Sequence, residues 1–296
     1  MRVFLTGATG FVGSAIVGEL IGAGHSVLGL ARSEAAAETL KGRGVEPHRG
    51  ELADLDSLAA GARACDGVIH TAFVHEFDRH AENIETDRRA VAAMLAALEG
   101  SGKPFVLTSG TALAKSEGPV TELDAPGGEG GFALRGATEI VALDAAARGV
   151  RPIVMRLPQV HGRGDHGFVP RLIEIAKETG VAAYVGDGAN RWPTVHRFDA
   201  ARLYRLALER AEAGTRLHAV AEEGVALKAI SQTISEGLGV PARSITPDEA
   251  GEHFGWLAWI AAADNPTSSE ITRRTMGWTP VEADLLTDMR QGGYFD

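Results

Sequence analysis

A glycine-rich segment near the N-terminus constrains the fold of this chain more than any other part of its sequence. Residues 6–13 read Thr-Gly-Ala-Thr-Gly-Phe-Val-Gly, directly after an apolar run and at the start of a helical pattern. In a strand–turn–helix unit with this spacing, Gly7 permits the tight turn, Gly10 lets a pyrophosphate approach the backbone, and Gly13 lets the helix lie close to the sheet. The helix N-terminus adds its partial positive charge. The segment therefore predicts a dinucleotide-binding turn.

The first half of the sequence alternates short apolar runs with helical patterns. Buried strands are predicted at Val3–Thr6, Ser26–Ala31, Gly67–Thr71, Phe105–Thr108 and Ile153–Leu157. Helices are predicted at Phe11–Ala23, Ala35–Gly42, Asp54–Ala64, Ala81–Leu98 and Leu134–Arg148. Right-handed crossovers between such units build a parallel sheet that helices cover on both faces. We therefore expect an α/β protein, a doubly wound parallel-sheet Rossmann fold with a smaller C-terminal substrate-binding region.

Composition and charge exclude several classes of protein. The chain carries 29 Lys and Arg against 39 Asp and Glu, a formal net charge of -10, with no run of basic residues. Nucleic acids and membrane surfaces attract basic patches, so we expect neither as a partner. Cys65 is the single cysteine, which excludes an internal disulfide, and its thiol is expected to be buried and unreactive. No apolar run approaches the ~18 residues of a membrane span. A cytoplasmic monomer or homodimer is expected.

The residues that follow the second and third strands select the cofactor. Rossmann proteins that bind NAD usually place an acidic residue at the end of the second strand, where it bonds the ribose hydroxyls. Here that place holds Arg32 and Ser33. Arg32 can pair with the 2′-phosphate of NADP while Ser33 adds a hydroxyl, and a solvated surface arginine is the alternative. After the third strand, Glu51 beside Leu52 can accept from the adenine amino group. We therefore expect NADP(H).

The strand–helix alternation becomes less regular after Leu157. Helical patterns continue at Phe168–Glu178, Phe198–Ala213 and Leu227–Leu238, but long loops separate them. We assign residues 1–157 to an NADP-binding Rossmann domain. Residues 158–296 are assigned mostly to a substrate-binding region, partly interleaved with the Rossmann sheet. The glycine-rich stretch Gly127–Gly131 predicts a mobile loop at a place where an active-site lid could lie.

The turn Thr6–Gly13 has the TGxxGxxG form and resembles that of the extended and atypical short-chain dehydrogenase/reductase superfamily. Three further segments fall in register with that family: His70–Ala72 and Thr108–Thr111 after the fourth and fifth strands, and Arg156–Gly162 where the family contacts the carboxamide. The later Val195–Asp199 resembles a further family motif. Together, the turn, the strand ends and the resemblance imply cofactor contacts from Thr6, Gly7, Thr9, Gly10, Phe11, Val12, Gly13, Arg32, Ser33, Glu51, Leu52, Thr71, Ala72, Phe73, Thr108, Pro158 and Val160.

The sequence departs from the family at the catalytic acid. The family carries a tyrosine four residues before a lysine on the helix after the fifth strand, and the phenol protonates the carbonyl oxygen as hydride arrives. None of the five lysines here has a tyrosine four residues before it. Arg135 and Glu139 occupy the register of that pair. Two interpretations stay open, an ion pair across one helical turn or an Arg135 that holds an anionic or phenolic substrate oxygen.

The resemblance also predicts which residues are catalytic. Ser109 and Thr111 follow the fifth strand, where the family keeps its catalytic serine, and their hydroxyls could bond a substrate carbonyl or satisfy the loop backbone. His161 takes the place of the family's tyrosine in the carboxamide segment, as a proton donor or as a loop histidine bonded to backbone. His75 could overhang the substrate side of the ribose, although a structural role is again the alternative.

The aromatic residues of the second half suggest a pocket for a flat, hydrophobic substrate. In an otherwise aromatic-poor chain, Arg191 and Trp192 and the segment Gly255–Trp259 either line such a pocket or fill the core of a small domain. We include Arg191, Trp192, His75 and Arg135 as candidate substrate contacts. The histidines and acids show no metal-ligand spacing, so no metal is expected.

The motifs together favour an NADPH-dependent carbonyl reductase of atypical type. Its substrate would be a ketone on a small, aromatic or hydrophobic molecule, and the usual tyrosine acid would be absent. The proton could then come from another side chain, from water or from an acidic hydroxyl of the substrate. Two alternatives stay open, a sugar-nucleotide-type epimerase or dehydratase and a non-catalytic NADP(H)-binding sensor.

Overall fold

Strands and helices alternate along most of the chain in the computed structural model, which describes residues 1–74, 79–127 and 130–296. The strands are β1 (Arg2–Thr6), β2 (Ser26–Ala31), β3 (Glu46–Arg49), β4 (Gly67–His70), β5 (Pro104–Gly110), β6 (Arg151–Leu157), β7 (Gln159–His161), β8 (Ala182–Val185), β9 (Arg191–His196), β10 (Thr215–His218), β11 (Glu222–Ala226) and β12 (Ala242–Ile245). The helices are α1 (Phe11–Gly22), α2 (Glu34–Gly42), α3 (Leu55–Arg63), α4 (His80–Leu98), α5 (Gly130–Asp144), α6 (Phe168–Thr179), α7 (Arg197–Arg210), α8 (Leu227–Leu238), α9 (Pro247–Phe254), α10 (Ala258–Ala261), α11 (Glu270–Met276) and α12 (Leu285–Gln291).

Seven strands form one parallel sheet in the order β10-β6-β5-β4-β1-β2-β3. From β1 the chain first builds outward through β2 and β3, and then returns to the other side of β1 with β4, β5 and β6. The order therefore reverses between β1 and β4. In doubly wound sheets a ligand binds beyond the carboxyl ends of the strands at such a reversal.

Helices cover both faces of this sheet through two apolar clusters. On one face, α1, α2 and α7 bury residues such as Ile16, Leu40 and Leu203 against the strands. On the other face, α3, α4 and α5 do so with residues such as Leu58 and Met94. Strands buried on both sides explain why β1, β4 and β5 read as continuous apolar runs rather than as alternating ones.

The second half of the chain adds a smaller region with a cluster of its own. The strands β11, β9 and β7 form a three-stranded sheet, and β12 pairs with β8. The helices α6, α8, α9, α10 and α12 pack around Trp192, Ile230 and Phe254 in this cluster. Residues after 157 also serve the main sheet, because β10 forms its edge and α7 covers one face.

The expected fold class is confirmed, and the five predicted strands lie within two residues of their observed bounds. The strand β3 could not be found from hydrophobicity, since it reads Glu-Pro-His-Arg and lies at the edge of the sheet. The helix α5 begins at Gly130, four residues before the expected start. Cys65 is buried as expected, and burial raises the pKa of its thiol to about 11. Within the described residues, no helix is long and apolar enough to cross a membrane.

Candidate active site

The glycine-rich turn after β1 leaves the N-terminus of α1 open. Gly7 has a φ of +73°, and a Cβ there would lie 2.6 Å from Thr71 Oγ1. A Cβ on Gly13 would lie 2.0 Å from the carbonyl oxygen of Gly7, so α1 can cross the turn this closely only without a side chain there. Thr9 and Gly10 are exposed, and Gly10 is the N-cap of α1 without a side chain to fill the space. The turn thus has the shape of a cradle for a phosphate.

Thr6 connects the carboxyl ends of β1 and β4. Its buried hydroxyl forms a hydrogen bond of 2.7 Å with His70 Nδ1 and accepts one of 3.2 Å from the backbone N–H of Ala72. The Thr71 hydroxyl donates to the Thr6 carbonyl at 2.8 Å. These bonds fix the segment 71–73 directly behind the turn. Thr6 itself is fully buried and supports the turn from behind.

The remaining residues of the turn and the residues after β2 and β3 lie along the same edge of the sheet. The Arg197 guanidinium carbon lies 4.9 Å from the centroid of the Phe11 ring, and Val12 packs against the core. Three side chains here are exposed, namely Arg32, Ser33 and Glu51, while Leu52 is half-buried. Ser33 caps α2 by accepting from the N–H of Ala36. Arg32 has no hydrogen-bond or ion-pair partner among residues 1–74, 79–127 and 130–296, so its charge is available to a ligand.

Glu139 lies in the interior and takes part in a buried ion pair. Neither it nor Arg156 is exposed at all, and Arg156 donates to it through Nη2 at 2.7 Å and Nε at 3.0 Å. The Ser109 hydroxyl also donates to Glu139, at 2.5 Å. Of the two interpretations of Arg135, the ion pair with Glu139 is therefore wrong, because Glu139 faces the sheet and is bonded to Arg156 of β6.

Arg135 lies one helical turn before Glu139 and points elsewhere. Its guanidinium carbon is 3.8 Å from the centroid of the Phe73 ring, a cation–π contact. Among the described residues it has neither a hydrogen bond nor an ion pair. Burial lowers the pKa of Arg135, and the nearby Asp87 carboxylate opposes that shift.

A mostly apolar cavity of about 350 Å³ lies beyond the carboxyl ends of β5 and β6. Arg135 and Phe73 form part of its wall, and Thr111 and Asn265 bring polar groups into it. The Asn265 amide donates to the Thr111 hydroxyl at 3.1 Å. The wall also includes Pro158, Gln159, Phe168, Trp192 and Trp259. Since the segment 71–73 touches the glycine turn at one end and the cavity at the other, the two sites adjoin.

A family model described as the NAD dependent epimerase/dehydratase family matches residues 3–220 of the chain. The chain belongs to this family. That match covers the whole main sheet, from β1 to β10, and therefore includes the glycine turn, the buried ion pair and both strand ends that face the cavity.

Two relatives and one solved structure extend the comparison. An uncharacterised protein of Schizosaccharomyces pombe is 47% identical and matches over 100% of both chains. A 2-alkyl-3-oxoalkanoate reductase of Stenotrophomonas maltophilia is 31% identical over 71% of this chain and 66% of its own. In structure, the chain is similar to dTDP-glucose 4,6-dehydratase of Streptomyces venezuelae, with a TM-score of 0.80 and 20% identity over 100% of this chain and 97% of that one. This likeness supports the epimerase/dehydratase fold.

Three of the candidate residues, Ser109, His161 and Arg191, are not part of the cavity wall. Ser109 is committed to Glu139. His161 is buried, and its Nδ1 lies 2.9 Å from an oxygen of Asp288. Arg191 pairs at 2.8 Å with Asp264 on the surface. His75 lies outside the described residues, as do Gly128 and Glu129 of the expected lid loop.

The three tyrosines all lie in the described part of the chain, and none of them lines the cavity either. The Tyr204 hydroxyl is hydrogen-bonded to Thr108 at 2.6 Å in the core, where burial raises its pKa. The Tyr294 hydroxyl accepts from the N–H of Gly162, and burial raises its pKa as well. Tyr184 packs within the C-terminal cluster. Val160, a predicted cofactor contact, packs half-buried against the main core, whereas Pro158 reaches the cavity wall.

Asn265 and Gln159 are the polar groups of the cavity that the sequence did not reveal. Asn265 follows Asp264 in a loop far from any recognised motif, and its partner Thr111 is 154 residues away. Only the fold brings the two together. Gln159 lies inside the segment Arg156–Gly162, next to the predicted contact Pro158. That position in the sequence could have identified it as a cavity residue. Within the described residues, no group of three His, Cys, Asp or Glu side chains could hold a metal ion.

Proposed function

We propose that this protein is an NADPH-dependent ketoreductase that acts on a small aromatic or otherwise hydrophobic ketone. The observation that carries the proposal is the Thr111–Asn265 hydrogen bond at the wall of an apolar cavity that adjoins the glycine turn. A hydroxyl held in this way can bond a carbonyl oxygen. Trp192 and Trp259 belong to the cavity wall, and an aromatic wall suits a flat, hydrophobic ring.

The residues at the sheet edge fit a dinucleotide. The open N-terminus of α1 suits the pyrophosphate, and the unpaired Arg32 suits a 2′-phosphate better than the free hydroxyls of NAD. We therefore favour NADP(H) over NAD(H), with residues 1–157 forming most of its site, while residues from both 1–157 and 158–296 line the substrate cavity. When bound, NADPH supplies the hydride.

Thr111 would orient the substrate and stabilise charge on its oxygen. Asn265 donates to the Thr111 oxygen, which leaves the Thr111 proton free to point at a carbonyl. A donor placed where negative charge develops is among the larger contributions to catalysis. A threonine hydroxyl is too weak an acid to replace a phenol, so we assign the proton to water or to an acidic hydroxyl of the substrate.

A relative supports carbonyl reduction. The Stenotrophomonas maltophilia protein, by its description, reduces a ketone on a carboxylic acid, and it is 31% identical to this chain. Sugar-nucleotide epimerases and dehydratases rely on the tyrosine that is absent from this cavity. We therefore rank the reductase above them.

The proposal can be tested with NADPH deuterated at C4. The purified protein is incubated with the labelled cofactor and a panel of aromatic ketones, quinones and nucleotide sugars, and products are analysed by mass spectrometry. We expect one deuterium in the alcohol formed from at least one ketone. In a parallel incubation with NADP+, a changed nucleotide sugar without net reduction of the cofactor would identify an epimerase or dehydratase and overturn the proposal. Tight NADPH binding with no product from the panel would favour a sensor.

A further inference from the structure

The Arg135 guanidinium is a half-buried charge without a counter-charge in contact among the described residues. It lines the cavity and stacks on Phe73 with 3.8 Å from its central carbon to the ring centroid. No hydrogen bond or ion pair to it is found among the parts of the chain that the structure describes. Burying part of a cation is unfavourable because hydration is lost, and the contact with the Phe73 ring replaces only part of it, so an anionic partner would be stabilising.

The carboxylates of Glu139 and Asp87 are both engaged elsewhere. Glu139, one turn along α5, accepts from Arg156 and from Ser109. Asp87 is close enough to favour the charged form of Arg135, yet its carboxylate accepts a hydrogen bond of 3.0 Å from His70 Nε2. The guanidinium therefore keeps its full set of donors for a molecule in the cavity.

The place of Arg135 in the cavity suggests which molecule that is. The stacking on Phe73 holds the planar group in one orientation, and a guanidinium presents paired donors that match two oxygens of an anion. Thr111 lines the same cavity of about 350 Å³, a volume within the range of small-molecule pockets. One compact molecule can therefore reach both residues.

We propose that Arg135 binds an anionic oxygen of the substrate, so that the preferred substrate is a ketone with a carboxylate or an ionised enol near its carbonyl. The proposal rests on the proposed function for the identity of the carbonyl, but not for the anion. Thr111 bonds the ketone oxygen and Arg135 bonds the anion. In a 3-oxo acid these two groups are separated by a single carbon.

The first test measures binding rather than turnover. Isothermal titration of the protein saturated with NADP+ compares 3-oxo-3-phenylpropanoate with its neutral primary amide. A charge-assisted bidentate contact predicts that the acid binds about tenfold to a hundredfold more tightly, and that Arg135→Met removes the difference while Arg135→Lys keeps part of it. A second pair, a cyclic 1,3-diketone and its 2,2-dimethyl derivative, separates an enolate from a carboxylate as the anion.

Controls separate this proposal from a structural role and from the cofactor. Arg88→Met removes an exposed arginine of the neighbouring helix α4 and should leave both affinities unchanged. Because Arg135 is unpaired, Arg135→Met without ligand should unfold at the same or a higher temperature than the wild type. A lower midpoint, or equal binding of acid and amide to the wild type, would overturn the proposal. The proposal would also be overturned if Arg135→Met weakened NADP+ binding as much as it weakens binding of the acid, because the anion that Arg135 binds would then belong to the cofactor.

Turnover distinguishes the failure of this proposal from failure of the proposed function. If acid and amide are reduced equally and Arg135→Met changes neither, the anion site is refuted while the reductase stands. If the acid binds in an Arg135-dependent way and neither compound is reduced, the reductase is refuted while the anion site stands.

Discussion

The glycine turn keeps the pattern of the family, whereas the helix α5 departs from it. At the turn, every glycine of the pattern is present, and the backbone has the shape that the pattern requires. On α5, Arg135 and Glu139 stand where the resemblance predicts the tyrosine and the lysine, and the structure separates them. Glu139 joins a buried ion pair with Arg156, whereas Arg135 faces the cavity.

The difference shows which parts of such a site depend on side chains. Phosphate binding at the turn uses backbone N–H groups and the absence of Cβ atoms, so only glycine preserves it. Proton transfer and substrate contacts use side chains, which can be exchanged while the sheet and its crossovers persist. In this chain Arg135 brings a positive charge to the cavity wall, and Glu139 belongs to the core.

The largest expected effect tests whether Glu139 is structural. Removing one partner of a fully buried ion pair leaves the other charge uncompensated and costs about 3–5 kcal/mol. We expect Glu139→Gln to lower the free energy of unfolding in urea by about that amount. The matched change Glu85→Gln breaks an exposed pair with Arg88 on α4 and should have no measurable effect. If Glu139→Gln proved as stable as Glu85→Gln, Glu139 would not be a structural residue, and the contrast drawn between Arg135 and Glu139 on α5 would fail.

A second change tests the turn at its most exposed glycine. A Cβ at Gly10 would lie 3.2 Å from the Gly7 carbonyl oxygen, which requires only a small shift, but it would occupy the place that we propose for the pyrophosphate. We expect Gly10→Ala to retain a thermal midpoint near that of the wild type, with no detectable NADPH binding at concentrations that saturate the wild type. Gly18→Ala, where a Cβ on the same helix meets nothing within 4 Å, is the control and should bind normally. Normal binding by both variants would place the phosphate elsewhere.

A third change tests the choice of cofactor at the end of β2. If Arg32 pairs with the 2′-phosphate, Arg32→Ala should weaken NADPH binding about tenfold to a hundredfold and leave NADH binding unchanged. Fluorescence titration of both cofactors measures this. Arg63→Ala, at the end of α3 and therefore at the opposite edge of the sheet, should change neither affinity. Equal affinity of the wild type for NADPH and NADH would contradict the assignment.

The sequence predicted what is local and missed what is long-range. The unit from β1 through the turn to α1 was found because apolar run, glycines and helix are contiguous. The strands β3 and β10 were missed because their residues are too polar to resemble buried strands, and they belong to the two edges of the sheet. The Glu139–Arg156 pair spans two elements, and the Thr111–Asn265 bond spans 154 residues. Neither pairing produces a periodic pattern in the sequence. Only the fold therefore shows that Ser109 bonds Glu139 and that Arg135 lines the cavity.

The central claim is that carbonyl reduction here proceeds without a tyrosine acid, and one set of rates tests it most directly. The measurement is kcat/KM for a reduced ketone in Tyr184→Phe, Tyr204→Phe and Tyr294→Phe, beside Thr111→Val. Loss of a true general acid costs ~10²–10⁴-fold, and loss of one donor to a developing oxyanion costs ~10²–10³-fold. We predict that all three phenylalanine variants stay within about tenfold of the wild type, while Thr111→Val falls by about a hundredfold. A thousandfold loss in any phenylalanine variant, with Thr111→Val unchanged, would contradict the account.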